Sequence, residues 1–221
     1  QALQTELKSP QTSFNDKFHL LNQFNNGDFS ANEDYGQLKT TIRNNEISTP
    51  QIYLLGGSES SAQFAATEKV GFIYAFFINS NIETLQQALK DYKQQFPEGR
   101  VIVGVAAVVS ENKEEQALVK EGSTNYALHF DDGRKITVNT KEQVETFKKQ
   151  SDEDFEVEEK QIDVFNGSAD EIKQQLNQLN RDGNIDEFML HMPVQNHKLR
   201  IKTVDQLAIT NNKEKQKEGV L

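Results

Sequence analysis

Cysteine is absent from the 221 residues, which excludes disulfides, thiolate metal centres and a cysteine nucleophile. That usage fits a reducing compartment, and the cytoplasm is the expected location. Long apolar runs are missing too, since no stretch approaches the roughly 20 residues that a membrane helix needs. The first residues, "QALQTELKSPQTSF", have neither the basic start nor the apolar centre of a secretory signal. Positive charge is scarce: 24 Lys and Arg stand against 34 Asp and Glu, for a net charge of −10. Such a chain repels nucleic-acid backbones and anionic membranes, so neither is expected as a partner. His19, His129, His191 and His197 are not spaced as zinc ligands, and no metal is expected. Neither a Gly-x-Ser-x-Gly elbow, a Walker A loop nor a dinucleotide fingerprint occurs. What remains is a polar globular chain, 35% hydrophobic and 26% charged, long enough to bury a core.

The apolar residues that are present fall into short units. Ser13 caps a helix carrying Phe14, Phe18, Leu21 and Phe24, which Asn25-Asn26-Gly27 stops. Residues 28–49 read as a polar connecting loop. "PQIYLLGG", "FIYAFFIN", "RVIVGVAAVVS" and "NIDEFMLHMPV" are nearly all apolar, as strands buried on both faces are. Helical patterns follow each of them. "SSAQFAATEKVG" is compact and closed by Gly71, and "NIETLQQALKDYKQQFPEG" carries an Ile82, Leu85, Leu89, Tyr92 and Phe96 stripe. "NKEEQALVKEG" and "NHKLRIKTVDQLAITNN" are helical as well, the latter with Leu199, Val204 and Leu207 inward. Ser168 and Glu171 form a capping box on a further helix, which Gly183 ends.

Between the third and fourth strands the alternation breaks. "NYALHFDDGRKITVN" predicts a β-hairpin turning at Asp132-Gly133. "SDEDFEVEEK" lacks the spacing and glycine of a calcium loop and reads as a solvated face after a short helix. The whole predicts one α/β domain over 1–221. Its parts are an N-terminal helix and loop (1–49), strand–helix units (50–110 and 164–208), an insertion (111–163) and a flexible tail (209–221). Alternating strands and helices imply a parallel sheet, either a small open one or half of an eight-stranded barrel.

One junction carries chemistry. In "YLLGGSESSAQFAA" two glycines and three serines stand where a strand hands over to a helix. A helix N-terminus offers unpaired amides and a partial positive charge. Gly56, Gly57, Ser58 and Ser61 are suited to cradle a phosphate there. A plain turn with a serine cap explains the same residues, and Glu59 favours the cap. His191, in the strand "FMLHMPV", faces either a barrel lumen or, as strand histidines more commonly do, a packed and hydrogen-bonded site.

"PQIYLLGGSESSAQFAATEKVGFIYAFFIN" resembles a stretch of the bacterial luciferase-like, flavin-dependent monooxygenases. Members read Pro-x-apolar-x-apolar-apolar-Gly-Ser-Ser-x-x-Ser-Ala-x-x-Ala-Ala, followed by a Gly-apolar-x-apolar-Ala-Phe strand. "NGSADEIKQQLNQLNRDGNIDEFMLHMPVQNHKLRIKTVDQLA" is similar to the family's closing helix–strand–helix block. The resemblance spans about residues 50–110 and 164–208. It implies parallel strands of a TIM-barrel (β/α)8 fold, here only the second half. FMN is the implied cofactor, reduced by a separate reductase, with its phosphate on Gly57, Ser58, Ser60 and Ser61. The implied reaction is oxygenation of a small-molecule substrate such as an aldehyde. The resemblance designates no catalytic residue. The family's first four strands, and an arginine beside the phosphate, have no counterpart. The expected state is therefore a homo-oligomer or a pairing with a complementary barrel half. Two alternatives stand beside the enzyme: a non-catalytic flavin-binding remnant or structural subunit, and a small α/β domain holding another phosphorylated metabolite.

Overall fold

The computed structural model describes residues 13–26, 50–151 and 153–218, with side chains up to residue 208. The chain divides into two compact units, residues 1–52 and 53–221. In the first, α1 (Phe14–Asn26) forms as its Ser13 cap predicts. The Asp16 amide donates to Ser13 Oγ at 3.1 Å. Ser13 Oγ and N return hydrogen bonds that hold the Asp16 carboxyl below its usual range. The rings of Phe14 and Phe18 stack at 6.2 Å. The loop read at 28–49 lies outside the described residues.

The second unit is built on a parallel sheet. Its strands are β1 (Tyr53–Gly56), β2 (Gly71–Ala75), β3 (Val101–Val109), β7 (Phe165–Gly167) and β8 (Glu187–His191). β1 pairs with β2, and β2 with β3. β3 is long enough to take two partners, β8 along Ile102–Ala106 and β7 along Ala107–Val109. Every pairing is parallel, as the doubly apolar strand sequences require. Helices α2 (Glu59–Thr67), α3 (Ile82–Gln95), α6 (Ala169–Leu179) and α7 (His197–Glu218) supply the cover. Leu54, Phe72, Tyr74, Val101 and Val103 face them, and Phe72 stacks on Tyr92 of α3 at 5.7 Å. Burial of each such side chain stabilises the fold by roughly 1.5–3 kcal/mol.

The insertion adds α4 (Lys113–Gly122), β4 (Thr124–Phe130), β5 (Lys135–Val138), α5 (Lys141–Gln150) and β6 (Phe155–Gln161). The predicted hairpin turns at Asp131–Arg134, where the Gly133 amide bonds Phe130 O at 3.0 Å with Gly133 at φ 84°. Tyr126, Leu128 and Phe130 pack on Val144 and Phe147 of α5. The order of this antiparallel sheet is β5-β4-β6.

Several expectations need correction. The charged run after α5 is solvated but is also a strand, β6, because Phe155 and the ladder to β4 supply pairing without burial. β7 is a fifth parallel strand, too short at three residues to show a period. Gly71 opens β2 rather than closing α2. The left-handed residue is Lys69, at φ 52°, and a Cβ on Gly71 would strike the Tyr53 ring at 2.3 Å. Ile82 and Val204 are exposed. In α7 the inward position is taken by Thr203, whose Oγ1 accepts from Val109 N at 3.0 Å and donates to Leu199 O at 2.8 Å. The backbone of α7 continues to Glu218, through residues read as tail.

Candidate functional site

Parallel sheets of this kind keep their sites at the carboxyl ends of the strands. There the chain places Gly57, Ser58, Ser60 and Ser61 together, between the end of β1 and the first turn of α2. Ser58 is the N-cap: its Oγ accepts from Ser61 N at 3.2 Å. The same oxygen lies 3.0 Å from Ser60 Oγ and 2.8 Å from Ser61 Oγ. The Ala62 amide takes the Ser58 carbonyl. The cap reading of the sequence is therefore realised. It still leaves the Glu59 and Ser60 amides with no intrahelical acceptor, because the first turn has none to give.

The two glycines do different work. A Cβ on Gly56 would lie 2.3 Å from Ser61 Cβ, so a side chain here displaces the helix. A Cβ on Gly57 would meet Asn79 Cβ at 3.4 Å and nothing closer. Asn79, which sequence reasoning missed, fixes this loop: its Nδ2 donates to Gly57 O at 2.8 Å and its Oδ1 accepts from Asn81 N at 3.2 Å. The only sequence signal for it was a polar residue ending the run "FFIN".

The donor set is neutral, made of amides and hydroxyls. Glu59 stands in the same turn. Below it, Tyr74 pairs in register with Gly56, and its hydroxyl is buried without a partner. Burial, and then the Glu59 charge, push that phenol upward. Two open amides, three hydroxyls and an approachable glycine fit a phosphate monoester. Glu59 opposes it, so the hold rests on hydrogen bonds rather than charge.

The remaining candidates lie apart from the serines. His191 sits at the end of β8, exposed rather than packed and hydrogen-bonded, with its ring 5.5 Å from that of Phe77. Phe77 in turn lies over Gly104 of β3, where a Cβ would approach the ring to 3.1 Å. His129 pairs with Glu158 at 2.8 Å on the exposed insertion sheet. His197 begins α7, but Asn196 makes the cap, accepting from Leu199 N at 3.0 Å. A cleft of about 1730 Å3 includes Phe77 and His191 but not Ser58, Ser60 or Ser61. The cradle and the cleft thus share the strand-end side of the sheet without coinciding. Among the described residues no group of three or more His, Asp or Glu could hold a metal, and no helix is long and apolar enough to cross a membrane.

No protein-family model matches the chain. In sequence, 200 residues align at 30% identity with the N-acetyl-S-alkylcysteine monooxygenase of Bacillus subtilis (strain 168), covering 88% of this chain and 59% of that protein. The solved structure of apo-MsnO8 superimposes with a TM-score of 0.57 at 17% identity, covering 94% of this chain and 62% of that one. The chain is a relative of the luciferase-like flavin-dependent monooxygenases. Its parallel α/β fold matches part of the barrel of MsnO8. It spans less than two thirds of the length of either protein. The EDTA monooxygenase (EmoA) from Chelativorans sp. BNC1 is a further structural neighbour, with a TM-score of 0.49 and 13% identity, over 93% of this chain and 59% of that one.

Proposed function

We propose that this chain is the phosphate-holding part of an FMN-dependent, luciferase-like monooxygenase. The observation that supports it is the open first turn of α2, with two amides lacking acceptors and three hydroxyls behind an approachable Gly57. In this reading Gly57, Ser58, Ser60 and Ser61 receive the FMN phosphate. Reduced FMN, when bound, supplies the activation of dioxygen. The chain's own residues orient the cofactor from its phosphate end, and Phe77 and Met189 keep part of the mouth apolar. The relation to the Bacillus subtilis protein makes an N-acetylated S-alkylcysteine the first substrate to try, with an aldehyde second.

The test is fluorescence titration of the purified chain with FMN and with riboflavin. Supporting results are quenching by FMN at micromolar concentration, little quenching with riboflavin, and weaker FMN binding in Ser60→Glu. Equal behaviour of the two flavins abandons the phosphate assignment.

A second reading has its own observation. The sheet face opposite the helices carries Leu55, Ile73, Ile102, Gly104 and Met189, and Leu55 and Met189 are 54% and 44% exposed. Large exposed apolar faces mark interaction sites. Here the chain is a structural subunit or non-catalytic remnant that pairs with a second copy or a complementary barrel half. A monodisperse monomer with a cooperative melt, seen by sedimentation and calorimetry, would remove this reading.

A further inference from the structure

The cleft beside the cradle has two unlike walls. One is formed by Phe77, Ile78, His191, Met192 and Val194, at the ends of β2 and β8. These five are apolar apart from one imidazole, and Ser80, Gln195 and Asn196 line the cleft beside them. The other belongs to the insertion sheet. Leu128 and Phe130 turn away from the cleft into α5, and Tyr126 packs with them while also reaching the cleft's edge. Their neighbours Asn125 and Ala127 therefore present the opposite face. The register sets Lys160 beside Asn125 and Thr137 beside Ala127, so one polar surface is assembled from three strands.

That surface has unused capacity. Asn125 is half-buried, and neither its side-chain amide nor the Thr137 hydroxyl bonds another described residue. Two of the carboxylates around it are engaged. Asp163 accepts from Ser80. Glu158 pairs with His129 at 2.8 Å and Lys160 at 3.3 Å. Glu159 shares its register with Tyr126, and both also border the cleft. Glu121 and Glu142 stand at the cleft's helix ends, on α4 and α5. A patch bearing the Lys160 ammonium and the Asn125 amide thus faces a hydrophobic wall across a space large enough for a small molecule.

We propose that this cleft binds an elongated amphipathic carboxylate, its apolar group on Phe77 and Met192 and its carboxylate on Lys160 and Asn125. Lys160 exchanges its contact with Glu158 for the ligand, and the amide supplies the second donor. The insertion, rather than the parallel strands, then selects the substrate. The inference deepens the monooxygenase reading, on which it rests for the reaction but not for the binding.

The test uses the full chain without flavin and three probes: 4-phenylbutyrate, 4-phenylbutanol and butyrate. Affinities come from ligand-detected NMR. The proposal expects 4-phenylbutyrate to bind about tenfold more tightly than either probe lacking one end, a factor of ten being a small free-energy difference. Lys160→Glu, an exposed substitution, should remove that preference while leaving 4-phenylbutanol unchanged. Phe77→Ala should weaken both aromatic probes together. Equal binding of acid and alcohol, an acid affinity indifferent to Lys160→Glu, or no binding of any probe overturns it. Each of these outcomes leaves the FMN titration untouched, so the two readings fail separately.

Discussion

Replacing Gly56 by Ala tests how tightly strand end and helix start are joined. The new Cβ would lie 2.3 Å from Ser61 Cβ and 2.5 Å from Ser61 Oγ. Ordinary contact begins near 3.4 Å, so the first turn of α2 must retreat by about 1.1 Å, from 3.4 − 2.3. The obstructing atom is a Cβ fixed to the helix backbone, and no rotamer change moves it. Overpacking of this kind costs about 1–3 kcal/mol. At roughly 2–4 °C per kcal/mol for a chain of this size, Tm falls by about 2–12 °C. The shift also moves the Glu59 and Ser60 amides, so FMN affinity falls with it. Adding Ser61→Gly removes the collision partner. Gly56→Ala/Ser61→Gly should be more stable than the sum of the single changes, with a coupling above about 0.5 kcal/mol. Additive single changes, or an unaltered Tm in Gly56→Ala, refute the close junction.

Other consequences follow from contacts elsewhere. Gly122→Ala should be more damaging than Gly56→Ala, because its Cβ would lie 1.8 Å from the Pro193 carbonyl oxygen, and backbone must give way; soluble yield and Tm report it. Lys202→Met breaks hydrogen bonds to Glu115 at 2.8 and 2.9 Å and should cost about 0.5–1 kcal/mol in urea unfolding. Glu115 is held low chiefly by the hydrogen bond from Lys202, so this stability is present above 4.5 and fades as pH falls through the lower folded value. Wild type and variant should therefore converge in acid. Tyr92→Phe strands the Val70 carbonyl, which its hydroxyl reaches at 2.7 Å, at about 1 kcal/mol. Burial, then Asp186, push the Tyr92 phenol up to about 12, so wild-type stability should decline between pH 10 and 12 as the unfolded phenol ionises first. That part of the alkaline decline should be missing in the variant.

The parallel sheet was legible because its strands announce themselves. "RVIVGVAAVVS" has no polar face, and only a strand covered on both sides, or a buried helix longer than this, reads so. The Ser168–Glu171 capping box was legible for a similar reason: both halves of the interaction are local, and both hydrogen bonds are present. What escaped was set by partners distant in sequence. β6 pairs with β4 through its backbone while six of its seven side chains stay exposed, so hydrophobicity carries no trace of it. Thr203 is inward because Val109 needs an acceptor, which no helical period reveals. In the candidate site, Ser58 as cap and the neighbouring hydroxyls could be read directly. Asn79 could not, since its hold on Gly57 spans 22 residues. The amphipathic cleft was invisible for the same reason: it exists only once three strands of the insertion are in register.

The central claim is that the open amides of α2 hold a phosphate. It is tested most directly by amide chemical shifts of Glu59 and Ser60 in a 15N-labelled chain during addition of FMN and of riboflavin. The account predicts large, saturable shifts at these two amides with FMN, none with riboflavin, and competition by inorganic phosphate. Amides that stay still while FMN saturates the protein would contradict it.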